Sequence, residues 1–308
     1  EKLMENISGI TQHMRKKIIA AGGDPLRETL NIVPTVDNKA FSICDDGNYW
    51  RGYIFIEGAK AYELPENAQQ FYNVGKAFGK FQSLLSDYPA EKLHETIPNF
   101  HHTKLRFDAL VQAVEKDLMN RAKDVKEEIE FAFARKDDTP VLVDLLDEGK
   151  LPLRVTHNDT KLNNVMIDDI TGEGVCVIDL DTVMPGLSLY DFGDSIRFGA
   201  STATEDEKDL SKVWMDLDLY EKFTKGFLEE ARDSFTKTEL ENLAFSAKLM
   251  TYECGIRFLT DYLQGDTYFR IHRPEHNLDR TRTQFKLVAD METKLDEMNK
   301  IVEKCMAQ

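Results

Sequence analysis

Cysteine is scarce in this chain: four residues, at positions 44, 176, 254 and 305, with no C-x-x-C pair. Those spacings are too wide for a zinc knuckle or a disulfide-dense scaffold, so the expected home is a reducing one, the cytoplasm. Long apolar runs are missing as well. No window approaches the roughly 18 residues a membrane span needs, and Glu1-Lys2-Leu3-Met4-Glu5 lacks the basic-then-apolar order of a secretory leader. The third shortage is positive charge. Lys and Arg number 39 against 55 Asp and Glu, a formal charge of −16. Such a field repels phosphate backbones and anionic lipid, which makes nucleic acid and membrane surfaces poor partners. Disorder is excluded too, because 42% of the 308 residues are hydrophobic, 10% are aromatic, and apolar positions recur periodically.

What is present reads as α+β. Leu3, Ile7, Ile10, Met14 and Ile18 lay one apolar stripe along a helix over 3–21, which Gly22-Gly23-Asp24-Pro25 stops. From Leu30 to Ile56 three β-rich runs, at 31–36, 40–44 and 49–56, predict consecutive antiparallel strands. Phe71, Val74, Phe78, Phe81 and Leu85 then return to helical spacing behind a Pro65-Glu66 start. The change of texture near residue 58 is the best boundary, dividing the chain into 1–58 and 59–308. Further helices are expected at about 101–118, 121–134, 139–147, 205–232, 238–263 and 278–304, with Thr238-x-x-Glu241 as a capping box. Within this helical stretch, the apolar runs 164–168 and 175–179 flank a turn, which predicts a β-hairpin preceded by a short strand at 154–157.

The informative residues surround that hairpin. His157-Asn158-Asp159-Thr160-Lys161-Leu162-Asn163-Asn164 has the form H-x-D-x-x-x-x-N, and Ile178-Asp179-Leu180-Asp181 closes the hairpin. Phosphoryl transfer needs a carboxylate to orient the attacking hydroxyl and take its proton, and oxygen ligands to hold Mg²⁺ against nucleotide phosphates. Asp159 suits the first task; Asn164 and Asp179 suit the second. Lys161 sits where a loop cation offsets charge developing on the transferred group. His157 reads as structural, packing the loop. Asp181 fits a second metal or substrate contact and a simple turn cap about equally, and Asp191 and Asp194 read as ties holding the loop backbone from below. His272-x-x-x-His276 contains Pro274 and is a loop feature rather than a zinc site.

These motifs resemble the protein-kinase-like small-molecule kinases, the superfamily of aminoglycoside phosphotransferases and choline kinases. The literal Asp191-Phe192-Gly193 is a decoy, since Asp179 takes the metal-binding position of that motif. The strings 157–164, 178–186, 190–194, Glu253-Cys254-Gly255-Ile256-Arg257-Phe258 and Asn277-Leu278-Asp279-Arg280 look most like the N-acetylhexosamine 1-kinases. The resemblance implies a two-lobed α+β fold, with a small antiparallel sheet and helix as the nucleotide-covering N-lobe and a large helical C-lobe carrying the catalytic hairpin. It implies that Glu5 pairs with a phosphate-binding lysine and that Glu57-Gly58 is the hinge reading adenine. The phosphate-covering loop and strand lysine would precede Glu1, so the N-lobe reads as truncated. By the same resemblance Thr182, Phe198, Arg257 and Tyr268, with Asp159, line a hexosamine site, and ATP with Mg²⁺ is the cofactor pair. The alternatives are a choline or aminoglycoside kinase, or an inactive pseudokinase-like binding module.

Overall fold

The computed structural model describes residues 1–307. Its first element, α1 (Lys2–Ala20), follows the apolar stripe. Ile7 and Ile10 are wholly buried, and Met4, Met14 and Ile18 nearly so, each burial worth about 1.5–3 kcal/mol. The helix ends where Gly22 takes a left-handed φ of 77°, which lets the Gly23 N–H reach back to the Ile18 carbonyl at 2.9 Å. Then come β1 (Ile32–Val33), β2 (Ser42–Ile43), β3 (Tyr49–Trp50), β4 (Gly52–Tyr53), β5 (Ala59–Lys60) and α2 (Ala68–Leu84). The helices α3 (Thr103–Lys116), α4 (Lys126–Phe133) and α5 (Val141–Asp147) precede a hairpin region made of β6 (Arg154–Thr156), β7 (Val165–Asp168), β8 (Gly174–Val177) and β9 (Met184–Gly186). The rest is helical: α6 (Ser188–Gly199), α7 (Leu217–Ala231), α8 (Lys237–Glu241), α9 (Leu243–Gln264) and α10 (His276–Met306). No described helix is long and apolar enough to cross a membrane.

The chain forms two compact units. The first comprises Glu1–Pro98, Leu153–Asp191 and Lys222–Phe235. All its strand pairs are antiparallel: β1 with β4, β2 with β3, β6 with β9, and a three-stranded sheet in the order β5-β7-β8. Residues on both sides of position 58 lie in this unit. Helix α2 crosses the 222–235 segment at glycines: a Cβ on Gly75 or Gly79 would run into the carbonyl of Phe223 or Phe227. The second unit comprises Asn99–Pro152, Phe192–Glu221 and the chain from Thr236 onward. Its centre is α9, buried on nearly every side because α3 and α10 pack along it.

Several expectations need correction. The strands of 30–56 are two residues each, and β1 pairs with β4 rather than with its sequence neighbour. Helix α2 starts at Asn67, not at Pro65-Glu66, because the Asn67 side chain accepts the Gln70 N–H at 2.9 Å. Residues 205–216 are not α-helical. A bridge pairs Ser201 with Met215, and the Thr202 hydroxyl donates to the Lys212 carbonyl at 2.7 Å, so local side-chain bonds displace the helix until Leu217. The capping box uses Thr236 and Glu239, two residues earlier than Thr238 and Glu241, and it opens α8 alone. The 121–134 segment begins as a 3-10 turn at Ala122–Asp124 before α4.

Candidate active site

The hairpin brings the chemistry-bearing residues together. In β7 and β8, Val165, Ile167, Cys176 and Val177 are buried, and Val165 pairs with Val177 and Met166 with Cys176. Burial pushes the Cys176 thiol up to about 12, leaving it an inert core residue. The turn closes because the Asp168 carboxylate accepts the N–H groups of Ile170 and Thr171, both at 2.9 Å, and Gly172 takes a φ of 71°. Beyond the strands the ladder continues by one rung: the Ile178 N–H donates to the Asn164 carbonyl at 2.9 Å. Asp179 therefore stands one residue past the partner of Asn164. Sequence separation becomes adjacency through register alone.

The loop between β6 and β7 is fastened from beneath. His157 is wholly buried, with the rings of Phe78 and Phe81 edge-on at 5.8 and 5.9 Å. Its Nε2 donates to the Ile178 carbonyl at 2.9 Å and its Nδ1 accepts the Asp159 N–H at 3.3 Å, which places the ring proton on Nε2. Asn158 adopts a left-handed φ of 65°, and its side chain donates to the Thr182 carbonyl at 2.8 Å. Beneath both, the Asp191 carboxylate accepts the N–H groups of His157 at 2.9 Å and Asn158 at 2.8 Å, plus the Gln82 amide at 2.6 Å. Burial raises the Asp191 pKa, and those donors together with His157 oppose the shift. Asp194 holds Arg197 at 2.8 Å in the second unit.

On the open side of the loop, Asp159 is about a quarter exposed, with the Lys161 ammonium at 2.7 Å from Oδ1. Asn164 spends its Nδ2 on the Asp159 carbonyl at 2.7 Å and on Oδ2 at 3.2 Å. That orientation leaves the amide oxygen as the donor for a ligand. Asp179 is exposed and held in a left-handed conformation, φ 58°. Among the described residues no three His, Cys, Asp or Glu side chains cluster as an all-protein metal cage. One amide oxygen and one carboxylate fit Mg²⁺, which keeps waters and takes its remaining oxygens from nucleotide phosphates. Asp181 forms an ion pair with Arg51.

The other candidates are placed as follows. The Thr182 hydroxyl donates to the His157 carbonyl at 2.6 Å and so ties the loop. Glu5 pairs with His94 at 2.5 Å. Beside it the buried Asn6 donates to the carbonyls of His94 and Val183, clamping α1 to the segment after Asp179. At Glu57-Gly58 the Glu57 carbonyl accepts Arg27 at 3.2 Å, and the Gly58 carbonyl accepts the Asp169 N–H at 2.9 Å, which joins β5 to the hairpin. Phe198, Arg257 and Tyr268 belong to the second unit. There Arg257 lies over the rings of Phe100, Tyr268 and Phe269 at 5.2, 5.9 and 5.6 Å. It borders a cavity of about 160 Å³ also lined by Arg106, Thr260 and Asp261. Gln82 and Asn6 escaped the sequence reading, although each is a polar residue on a mainly apolar helix face, and that is their signal.

With this geometry in view, likeness to known proteins becomes informative. The sequence profile of the phosphotransferase enzyme family, APH, matches residues 33–213. Among solved structures, an aminoglycoside phosphotransferase from Alicyclobacillus acidocaldarius superposes with a TM-score of 0.59 at 13% identity, covering 98% of this chain and 84% of that one. A spectinomycin phosphotransferase in complex with ADP and spectinomycin gives 0.56 at 13% identity, with 95% and 82% covered. A choline/ethanolamine kinase family protein from Mesorhizobium loti gives 0.51 at 14%, with 99% and 85% covered. At such identities the structures speak to fold, while the profile spans more than half the chain. The chain belongs to the APH phosphotransferase enzyme family and has its protein-kinase-like α+β fold.

Proposed function

We propose that this protein transfers the γ-phosphate of ATP to the anomeric hydroxyl of an N-acetylhexosamine, GlcNAc or GalNAc, giving ADP and the sugar 1-phosphate. The phosphotransfer half of the reading rests on one observation: Asp159, Lys161 and Asn164 bond to one another, with Asp179 one rung along the same ladder. Asp159 orients the acceptor hydroxyl and takes its proton as the oxygen bonds to the γ-phosphorus and the bridging oxygen leaves with ADP. Lys161 offsets charge on the transferred group. Asn164 and Asp179 would hold Mg²⁺, which when bound neutralises phosphate charge. The C1–O1 bond stays intact, so the anomeric configuration is retained.

The acceptor half rests on the resemblance to N-acetylhexosamine 1-kinases, which assigns Thr182, Phe198, Arg257 and Tyr268 to recognition. Taken within the second unit alone, the cavity bordered by Arg257 and Tyr268 suits a neutral ligand better than a cationic one. Arg257 already occupies its aromatic surroundings, and Arg106 beside it is disfavoured in its charged form first by burial and then by the Arg257 charge. The one carboxylate in the lining, Asp261, is spent on the N–H groups of Thr267, Tyr268 and Phe269 and on Asn277. In that cavity a cation such as choline or an aminoglycoside would meet two guanidinium groups and no uncommitted carboxylate, whereas neutral hydroxyls and an acetamido group suit such donors. The test is ADP release with GlcNAc, GalNAc, choline and kanamycin, with phosphorus NMR of the product. A sugar 1-phosphate is expected; turnover of choline with neither hexosamine used would end the sugar reading.

A further inference from the structure

The ion pair between Arg51 and Asp181 joins residues 130 positions apart, and it lies beside the candidate metal carboxylate. Asp181 is two residues beyond Asp179 on the same short turn. Arg51 separates β3 from β4, and its guanidinium also lies 5.4 Å above the ring of Tyr53. Burial raises the Tyr53 pKa; Arg51 opposes this, while the charges of Asp181 and Asp179 both add to it, so the phenol lies within the field of both carboxylates. Its hydroxyl is buried and has no hydrogen-bond partner among the described residues. A buried hydroxyl left without a partner is costly, and its place under the Arg51 guanidinium that pairs with Asp181 suggests a ligand that would satisfy it.

Stability does not explain the pair. The side chains of Arg51 and Asp181 are 26% and 45% exposed, and ion pairs so open to water contribute little to folding. A guanidinium has another use at this position: its planar fork matches phosphate oxygens in two parallel bonds. The ion pair with Asp181 holds Arg51 at the turn that carries Asp179, so a polyphosphate tail gathered there would come within its reach.

We propose that Arg51 is a nucleotide-phosphate ligand for which Asp181 competes, and that Tyr53 supports it from below. The inference rests on the kinase reading above. Asp181 then tunes nucleotide affinity downward without itself holding the metal, and the two members of one ion pair act with opposite sign. A merely structural strap would make both substitutions act in the same direction.

The experiment is titration of ATP and of ADP, with and without MgCl₂, into the parent protein and the Arg51→Ala, Asp181→Asn and Tyr53→Phe variants by calorimetry, with thermal melting of each. Arg51→Ala should weaken Mg-ATP binding about tenfold or more, the worth of a charged hydrogen bond to phosphate. Asp181→Asn should tighten it by about threefold or more once the competing charge is gone. Tyr53→Phe should weaken binding with an unchanged melting temperature. Equal affinity in parent and Arg51→Ala would overturn the proposal, and so would a loss in Asp181→Asn, which would make Asp181 a metal ligand. If Arg51→Ala does not fold, the sign of the Asp181→Asn change decides alone. A parent protein that binds no nucleotide overturns this inference together with the kinase reading; a parent that binds it while the variants do not differ overturns this inference only.

Discussion

The buried carboxylate of Asp191 holds the backbone N–H of His157 at 2.9 Å, 34 residues earlier in the chain, and through it the start of the 157–164 loop. A second oxygen takes the Asn158 N–H, and Gln82 of α2 anchors the same carboxylate. Asparagine at 191 presents one oxygen where two are used, so an NH₂ group would face a donor. Asp191→Asn should cost about 2–4 kcal/mol, because buried donors lose their acceptor. Urea unfolding measures this, and a variant as stable as the parent would show that the carboxylate does not fasten the loop.

Asp159 and Asp179 should fail differently. Asp159→Asn removes the base and leaves the phosphate ligands in place, so turnover should fall by about 10²- to 10⁴-fold while Mg-ATP binding is retained. Asp179→Ala should weaken Mg-dependent nucleotide binding as well as turnover. Single-turnover kinetics beside calorimetry separates the two. Full activity in Asp159→Asn, or parental Mg-ATP affinity in Asp179→Ala, would remove that residue from its role.

At the hairpin turn the acid sensitivity has a defined sign. Asp168 is held at about 2, below its ordinary 3.8, chiefly by the N–H of Thr171, then by that of Ile170 and by the Arg27 guanidinium. A folded-state pKa lowered in this way contributes stability that is complete above the unfolded value and is lost as pH falls through the folded one. The stability difference between the parent and Asp168→Asn should therefore be constant at neutral pH and shrink between 3.8 and about 2. Urea midpoints across that range measure it. A difference that persists undiminished at the acid end would show that the shift has another source.

How much of this was legible beforehand follows from the range of the interactions. The stripe of α1, the hairpin 165–177 and the 157–164 loop are local patterns, and each lies where its spacing predicts. The 30–56 strands were over-read because Ile43, Tyr49 and Trp50 carry β propensity but are exposed, so little apolar burial rewards a longer pairing. Within two strings that carried the finer resemblance, the first residue is a buried tie: Glu253 sits between His101 and Thr103, and Asn277 between Asp261 and Asp266. The pairing of Arg51 with Asp181 leaves no local trace, since neither residue belongs to a periodic pattern and only the tertiary fold joins them.

The glycines of α2 were the other silent feature, since Gly75 and Gly79 lower helix propensity with no visible gain in a single sequence. The gain is close approach: a methyl group at 79 would stand 3.0 Å from the carbonyl carbon and Cα of Phe227, backbone that cannot swing aside. Gly79→Ala should thus destabilise by about 1–3 kcal/mol despite improving intrinsic helix propensity. Gly52→Ala is the control, because its added methyl meets the Val33 side chain at 3.7 Å, an ordinary contact, and should change stability by no more than about 0.5 kcal/mol. Chemical denaturation of both variants discriminates between the two forces: if Gly79→Ala gains stability, helix propensity outweighs the crossing, and the glycines are not what lets the two backbones meet.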